Sequence, residues 1–276
     1  MFENMEKELK LRGYSDKTIK NYKFYNKKFI EYIKKSPRDT NKDDIKEYLN
    51  YLIDNKAKPR TINMAYSALK FYYSVFMNKQ LFKRIKRCKI EKDIPFVLSR
   101  DEIIAMINCT KNIKHKLLIE LLYSSGTRIE ETVKIKVQYI DFEQKLIFIK
   151  AGKGKKDRYI ITSERFINDL NYYLRRREFK SQYVFDTINS HMTVRAAQAV
   201  TKKAAKRAGI VKRVYPHLLR ASFATHLLED KTPLNKIQKL MGHTRINTTM
   251  DYIKTKTDDI KSVTSPLDKL AQTQAV

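Results

Sequence analysis

Over residues 1 to about 90, apolar side chains recur at the three- and four-residue spacing of helices, with no strand-like alternation. Ile19, Tyr22, Phe29 and Ile33 fall on one side of a stretch that Ser15 is placed to cap. Asn41, with Asp44 three residues on, starts a second helix carrying Ile45, Tyr48, Leu49 and Leu52. Pro59 opens a third, in which Ile62, Ala65, Leu69, Tyr72 and Phe76 return at helical spacing. The stretch 84–93 is charged and ends at Pro95, which makes it the best linker candidate. A first, helical domain is therefore drawn over residues 1–88 and a linker over 89–98.

The pattern then restarts. Ser99 and Glu102 form a capping-box pair, and a second domain is expected over residues 99–258. The run from Leu117 to Tyr123 is strongly apolar and stops at Ser124-Ser125-Gly126. K-L-I-F-I-K at 145–150 and R-Y-I-I-T at 158–162 read as two strands, joined as a hairpin by a loop carrying Gly152 and Gly154. Helical patterns are expected from there to about Tyr252. Residues 259–276 read as a tail, in which Ser265-Pro266 is placed to start a short helix bearing Leu267 and Leu270. The fold class is mainly α, in two domains, with a small β-hairpin or sheet in the second.

Charge changes this picture. The 276 residues hold 58 Lys and Arg against 30 Asp and Glu, a formal net charge of +28. A surplus that large calls for a polyanionic partner, and nucleic acid fits best. The two cysteines, Cys88 and Cys109, have no metal-ligand spacing, and a disulfide framework is not expected in a chain of this size. No apolar run approaches the roughly 18 residues of a membrane span, and the charged first residues lack a signal core. The expected location is the cytoplasm.

The candidate chemistry lies in four strings. They read G-T-R-I-E-E at 126–131, G-K-G-K-K-D-R at 152–158, H-L-L-R at 217–220 and M-G-H-T-R-I-N-T-T-M-D-Y at 241–252. When a phosphodiester is attacked in line, negative charge grows on its non-bridging oxygens. Guanidinium groups meet such oxygens with paired hydrogen bonds, which singles out Arg128 and Arg220. Glu131, one helical turn after Arg128, is a candidate brace, with Glu130 as the alternative. His217 shares a helix face with Arg220 and is suited to donate to the phosphate or to manage a proton. His243 is a second donor to a non-bridging oxygen. Tyr252, nine residues after His243, is the candidate nucleophile among 17 tyrosines. Its hydroxyl needs neighbouring positive charge or a base to attack at neutral pH. The leaving oxygen needs a proton, and Lys153, between the two loop glycines, is the choice over its rivals Lys155 and Lys156. The loop lacks the phosphate-loop pattern G-x-x-x-x-G-K-[ST], so ATP binding is not expected, and this residue set could supply the nucleophile and the general acid with no metal or other cofactor. His115, His191 and His226 read as structural.

In their order and spacing these strings resemble the active site of the tyrosine recombinases, the Xer and phage integrase family. Y-S-x-x-T-I-x-x-Y at 14–22 is similar to the start of that family's N-terminal, SAM-like core-binding domain. The resemblance implies a two-domain clamp around duplex DNA, with residues 99–258 catalytic. It implies a homo-tetramer on two specific DNA sites, a 3′-phosphotyrosyl link, a free 5′-hydroxyl and a Holliday junction, without ATP or metal. It also implies that the tail docks on a neighbouring protomer through Leu267 and Leu270. The compact length looks Xer-type. Ala221 stands where Xer-type sequences commonly carry a second His after H-x-x-R, and marks a divergent, archaeal-type branch. The expected role is resolution of chromosome or plasmid dimers. The alternatives are a mobile-element integrase, a type IB topoisomerase-like relaxing activity, and a DNA-binding protein without catalysis.

Overall fold

The apolar stripes close into two separate cores, and the chain divides into residues Met1–Ile94 and Pro95–Val276. The computed structural model describes residues 2–90, 97–150, 157–177, 181–188, 190–242 and 265–266. No described helix is long and apolar enough to cross a membrane.

The first unit is built from α1 (Glu3–Leu11), α2 (Asp16–Ile33), α3 (Lys42–Asp54) and α4 (Pro59–Lys70). Ser15 caps α2 by accepting from the Thr18 N–H. Asn41 and Asp44 form a reciprocal box at the start of α3. Buried Asn26 ties α2 to α4, its amide donating to the carbonyls of Tyr22 and Ala68. Asn63 on α4 pairs both backbone groups of Cys88, so chain up to Cys88 stays attached to this core.

One expectation here needs correction. The helical spacing that ends on Phe76 does not survive, because α4 widens into a π-helical turn at Phe71–Phe76. The wider turn shifts the register of the stripe. Tyr73 becomes fully buried while Phe76 is left 36% exposed. Tyr73 packs edge-on against Phe29, and its hydroxyl bonds to Thr40.

In the second unit Leu98 is fully buried, with its N–H donating to Ser222 Oγ. Its elements are α5 (Arg100–Asn108), α6 (Ile113–Ser125), α7 (Ile129–Thr132), β1 (Ile140–Asp141), β2 (Leu146–Ile149), β3 (Arg158–Ile161), α8 (Glu164–Arg176), α9 (Val194–Arg207), α10 (Pro216–Glu229) and α11 (Leu234–Met241). Every residue of α6 from Leu117 to Ser125 is buried, so this helix is the axle around which α5, α8, α9 and α10 pack.

The hairpin forms with Ile147 opposite Ile160 and Ile149 opposite Arg158. A third strand, β1, adds to its edge and gives the antiparallel order β1-β2-β3. Asp141 accepts from the Gln144 N–H and closes that extra turn. Helices dominate from α8 to α11, as expected, with a non-helical connection between α8 and α9. Arg177 turns extended, and the segment makes two isolated antiparallel pairings, Lys136 with Tyr183 and Asp186 with His191. Buried Asp186 organises it by accepting from the Tyr173 hydroxyl and Lys114.

Gly126 ends α6 with φ +59°, in the left-handed region. A Cβ there would lie 2.4 Å from the Phe223 ring. Gly126→Ala is therefore expected to lower stability by about 2 kcal/mol or more, from positive-φ strain and ring displacement together. Chemical denaturation of the two proteins checks this, and equal midpoints would contradict it.

Candidate active site

The turn after α6 is stiffened by hydroxyls. Ser125 and Thr127 share a hydrogen bond, Thr127 bonds to Thr132, and Thr132 donates to the Arg128 carbonyl. This chain of bonds fixes Arg128 at the residue preceding α7, in extended conformation. Its guanidinium points back, donating to Glu131 Oε1 at 3.1 Å and to the Gly242 carbonyl at 3.1 Å.

Arg220 reaches the same place from α10. Pro216 opens that helix, and Arg220 is buried at 1% exposure. Its guanidinium donates to the carbonyls of Gly126 and Met241. A third guanidinium arrives from β3. Arg158 donates to both oxygens of Glu131, at 3.3 and 2.7 Å, and its Nε reaches the Leu240 carbonyl at 3.3 Å. Three arginines from three elements thus meet the consecutive carbonyls of Leu240, Met241 and Gly242, where α11 ends. A helix C-terminus carries unpaired carbonyls and partial negative charge, so cations settle there. Gly242 has φ +58°, and a Cβ on it would come within 2.9 Å of Arg158 Nε. Glycine is what lets the arginine lie against the backbone.

Glu131 is the hub. Besides these side-chain bonds it accepts from the Arg128 N–H at 3.1 Å. Burial alone would raise its carboxyl, but the bonds and charges of Arg158 and Arg128 outweigh that and hold it at about 2. Glu130, the other candidate brace, is exposed. Burial lowers Arg220, helped by the neighbouring charge of Arg128, to about 10, which leaves it cationic at neutral pH. His217 is exposed in the first turn of α10 and its pKa is lowered, by desolvation first and then by the fields of Arg220 and Arg128. Desolvation and the fields of the two arginines favour its neutral form, and an imidazole is suited to exchange a proton.

The structure therefore gathers Arg128, Glu131 and Arg220, with His217 within their field. Lys153, its rivals Lys155 and Lys156, His243, Tyr252, Leu267 and Leu270 lie outside the described residues. His226 is buried and bonded to the Tyr123 hydroxyl, and His191 to the Met192 carbonyl. Among the described residues no group of three or more His, Cys, Asp or Glu is placed to hold a metal ion. Arg158 was not singled out from the sequence. Its signal was alternation, since in a strand it shares a face with the buried Ile160.

The profile described as the phage integrase family matches residues 97–258, and that of its N-terminal SAM-like domain matches residues 1–82. The chain belongs to the phage integrase family. It is 32% identical over 257 residues to tyrosine recombinase XerA of Pyrococcus horikoshii, covering 92% of this chain and 88% of that protein. It is 30% identical over 273 residues to the putative integrase/recombinase y4qK of Sinorhizobium fredii, covering 97% and 88%. In three dimensions it is similar to a lambda integrase dimer bound to a core site, with TM-score 0.70 and 18% identity over 92% of this chain and 98% of that one. It also matches the crystal structure of XerA recombinase, with TM-score 0.53 and 24% identity over 98% and 95%. The mainly helical, two-domain architecture with its small β element is that of the family. The chemistry of this family is that of the tyrosine recombinases, which cleave and rejoin DNA through a phosphotyrosine and a Holliday junction.

The depressed Glu131 carboxyl sets a sign for the pH dependence. Its folded value, about 2, is below the ordinary 4.5, so its contribution is complete above about pH 4.5 and falls as pH drops towards 2. Glu131→Gln is expected to cost roughly 2–3 kcal/mol at pH 7, with a smaller gap at pH 3. Denaturation of both proteins at the two pH values tests this, and a gap that widens on acidification would contradict it.

Proposed function

We propose that this recombinase assembles as a homo-tetramer on two specific duplex sites and resolves chromosome or plasmid dimers in the cytoplasm. Tyr252 attacks the scissile phosphate and forms the 3′-phosphotyrosyl link. Arg128 and Arg220 meet the non-bridging oxygens, with His243 as a further donor. His217 exchanges the proton of the tyrosine, Lys153 protonates the departing 5′ oxygen, and Glu131 braces Arg128. The tail is assigned to a neighbouring protomer through Leu267 and Leu270.

The observation that carries the reading is the convergence of Arg128, Arg220 and Arg158 on the Leu240, Met241 and Gly242 carbonyls, with Glu131 held by Arg128 and Arg158. Three guanidiniums against a single Glu131 leave positive charge where an anion is to bind, in a site preorganised by carbonyls. Support for DNA as substrate comes from the net charge of +28 and from relatives solved on DNA. These include XerH bound to its difH substrate and a lambda integrase tetramer on a Holliday junction. The XerA names among the relatives favour dimer resolution. A mobile-element role is the second reading, favoured by the similarity to y4qK and to the Tn1549 transposon integrase.

The test uses a nicked duplex that traps the covalent intermediate, in EDTA, carrying a site selected by the protein from random-sequence DNA. Wild type is expected to give a denaturation-resistant adduct and Tyr252→Phe none. Arg128→Ala and Arg220→Lys are expected to lower adduct formation about 100-fold or more. Duplex affinity should change only a few-fold, because dispersed lysines carry most of it. An adduct that persists in Tyr252→Phe would reassign the nucleophile, and equal losses of binding and cleavage in Arg128→Ala would remove it from the site.

A further inference from the structure

Arg158 has no part in the steps above, yet its guanidinium makes three hydrogen bonds within the cluster. One face of its guanidinium grips Glu131 with two bonds, and its Nε holds the Leu240 carbonyl. We propose that Arg158 is a positioning residue for DNA cleavage, which keeps Glu131 from closing on Arg128 and fixes the end of α11. This rests on the reading of Arg128 as a phosphate-binding residue.

The argument is one of acceptor capacity. A carboxylate has about four acceptor sites. Glu131 accepts four bonds, two from Arg128 and two from Arg158. Only one of the Arg128 bonds comes from its guanidinium, which spends another N–H on Gly242. Remove Arg158 and two acceptor sites of a part-buried carboxylate lose their donors. An unmatched buried charge draws the nearest cation. That cation is Arg128, already at 3.1 Å. A second guanidinium bond would close a bidentate pair and commit to Glu131 the face that Arg128 needs for phosphate. Arg158 also differs from the other two arginines in what anchors it. Arg128 and Arg220 hold the Gly242 and Met241 carbonyls, and engaging a phosphate competes for those same donors. Arg158 keeps its bond to Leu240 when the others turn to DNA, so α11 retains one attachment at its end.

The distinguishing prediction is non-additivity. A neutral Gln at 131 does not clamp Arg128, so the harm done by losing Arg158 depends on the charge of Glu131. Single-turnover cleavage of the nicked duplex at saturating protein is the readout. Arg158→Gln is expected to slow cleavage about 10- to 100-fold, as loss of a group that orients a reacting side chain does. Its duplex affinity should stay within about twofold of wild type, since Arg158 meets no phosphate itself. Arg158→Lys, which keeps the charge without the fork, is expected to fall between the two. The double variant Arg158→Gln, Glu131→Gln should lose less than the product of the two single losses. A double loss equal to that product, or a loss of affinity matching the loss of rate, would make Arg158 merely structural and overturn the proposal. Should Arg158→Gln fail to fold by circular dichroism, Arg158→Lys takes its place in the same cycle. A wild-type protein that binds the duplex but forms no adduct would overturn the recombinase reading itself, and the proposal with it.

Discussion

The carbonyls of Leu240, Met241 and Gly242, where α11 ends, are each held by a different guanidinium, and the candidate site depends on that arrangement. Arg158 comes from β3, Arg220 from α10 and Arg128 from the start of α7. Helix ends leave carbonyls without partners, and here cations supply them. The three elements are far apart in sequence, and they meet at Met241 and Gly242, which bond Arg220 and Arg128. Two glycines permit it. Gly126 offers its carbonyl to Arg220 from a left-handed turn, and Gly242 lets Arg158 lie flat against the backbone.

The same arrangement stores electrostatic tension. Burial first and then the charge of Arg128 lower the pKa of Arg220, and among the described residues Glu131 is the carboxylate that faces the three guanidiniums. A lysine buried like Arg220 would shed its proton far more readily, whereas a guanidinium stays charged. A phosphodiester entering the cluster would relieve the repulsion and replace carbonyl dipoles with a full negative charge. On the proposed function, affinity and catalysis draw on different parts of the chain: the dispersed lysines give long-range attraction, and the arginine cluster is the charge set to meet the transition state.

Local signals were strong enough to read the elements. Ser15, Asn41, Ser99 and Pro216 sit at the helix starts their chemistry implies, because a cap is decided by a few neighbouring residues. The hairpin was equally visible in K-L-I-F-I-K and R-Y-I-I-T. What failed to show was non-local. The π-helical turn at Phe71–Phe76 exists because several aromatic rings compete for one core, a constraint absent from helical spacing. Strand β1 is two residues long, too short to alternate, and forms only because β2 is there to pair with it. The non-helical residues 181–188 are held by Asp186, whose partners lie on α6 and α8.

The site divides in the same way. Sequence alone determined which residue types are present and in what order, and so pointed to a phosphodiester and to a family. It also placed Glu131 one turn after Arg128, a relation that helix geometry enforces locally. Tertiary structure alone decided that Glu131 rather than Glu130 makes the brace, since only Glu131 faces β3. It also decided that Arg158, written as the first residue of a strand, joins the arginines. A charged side chain at a strand start has no fixed destination until the neighbouring helix ends are packed around it, and here those ends supply the carboxylate and the carbonyl that hold it.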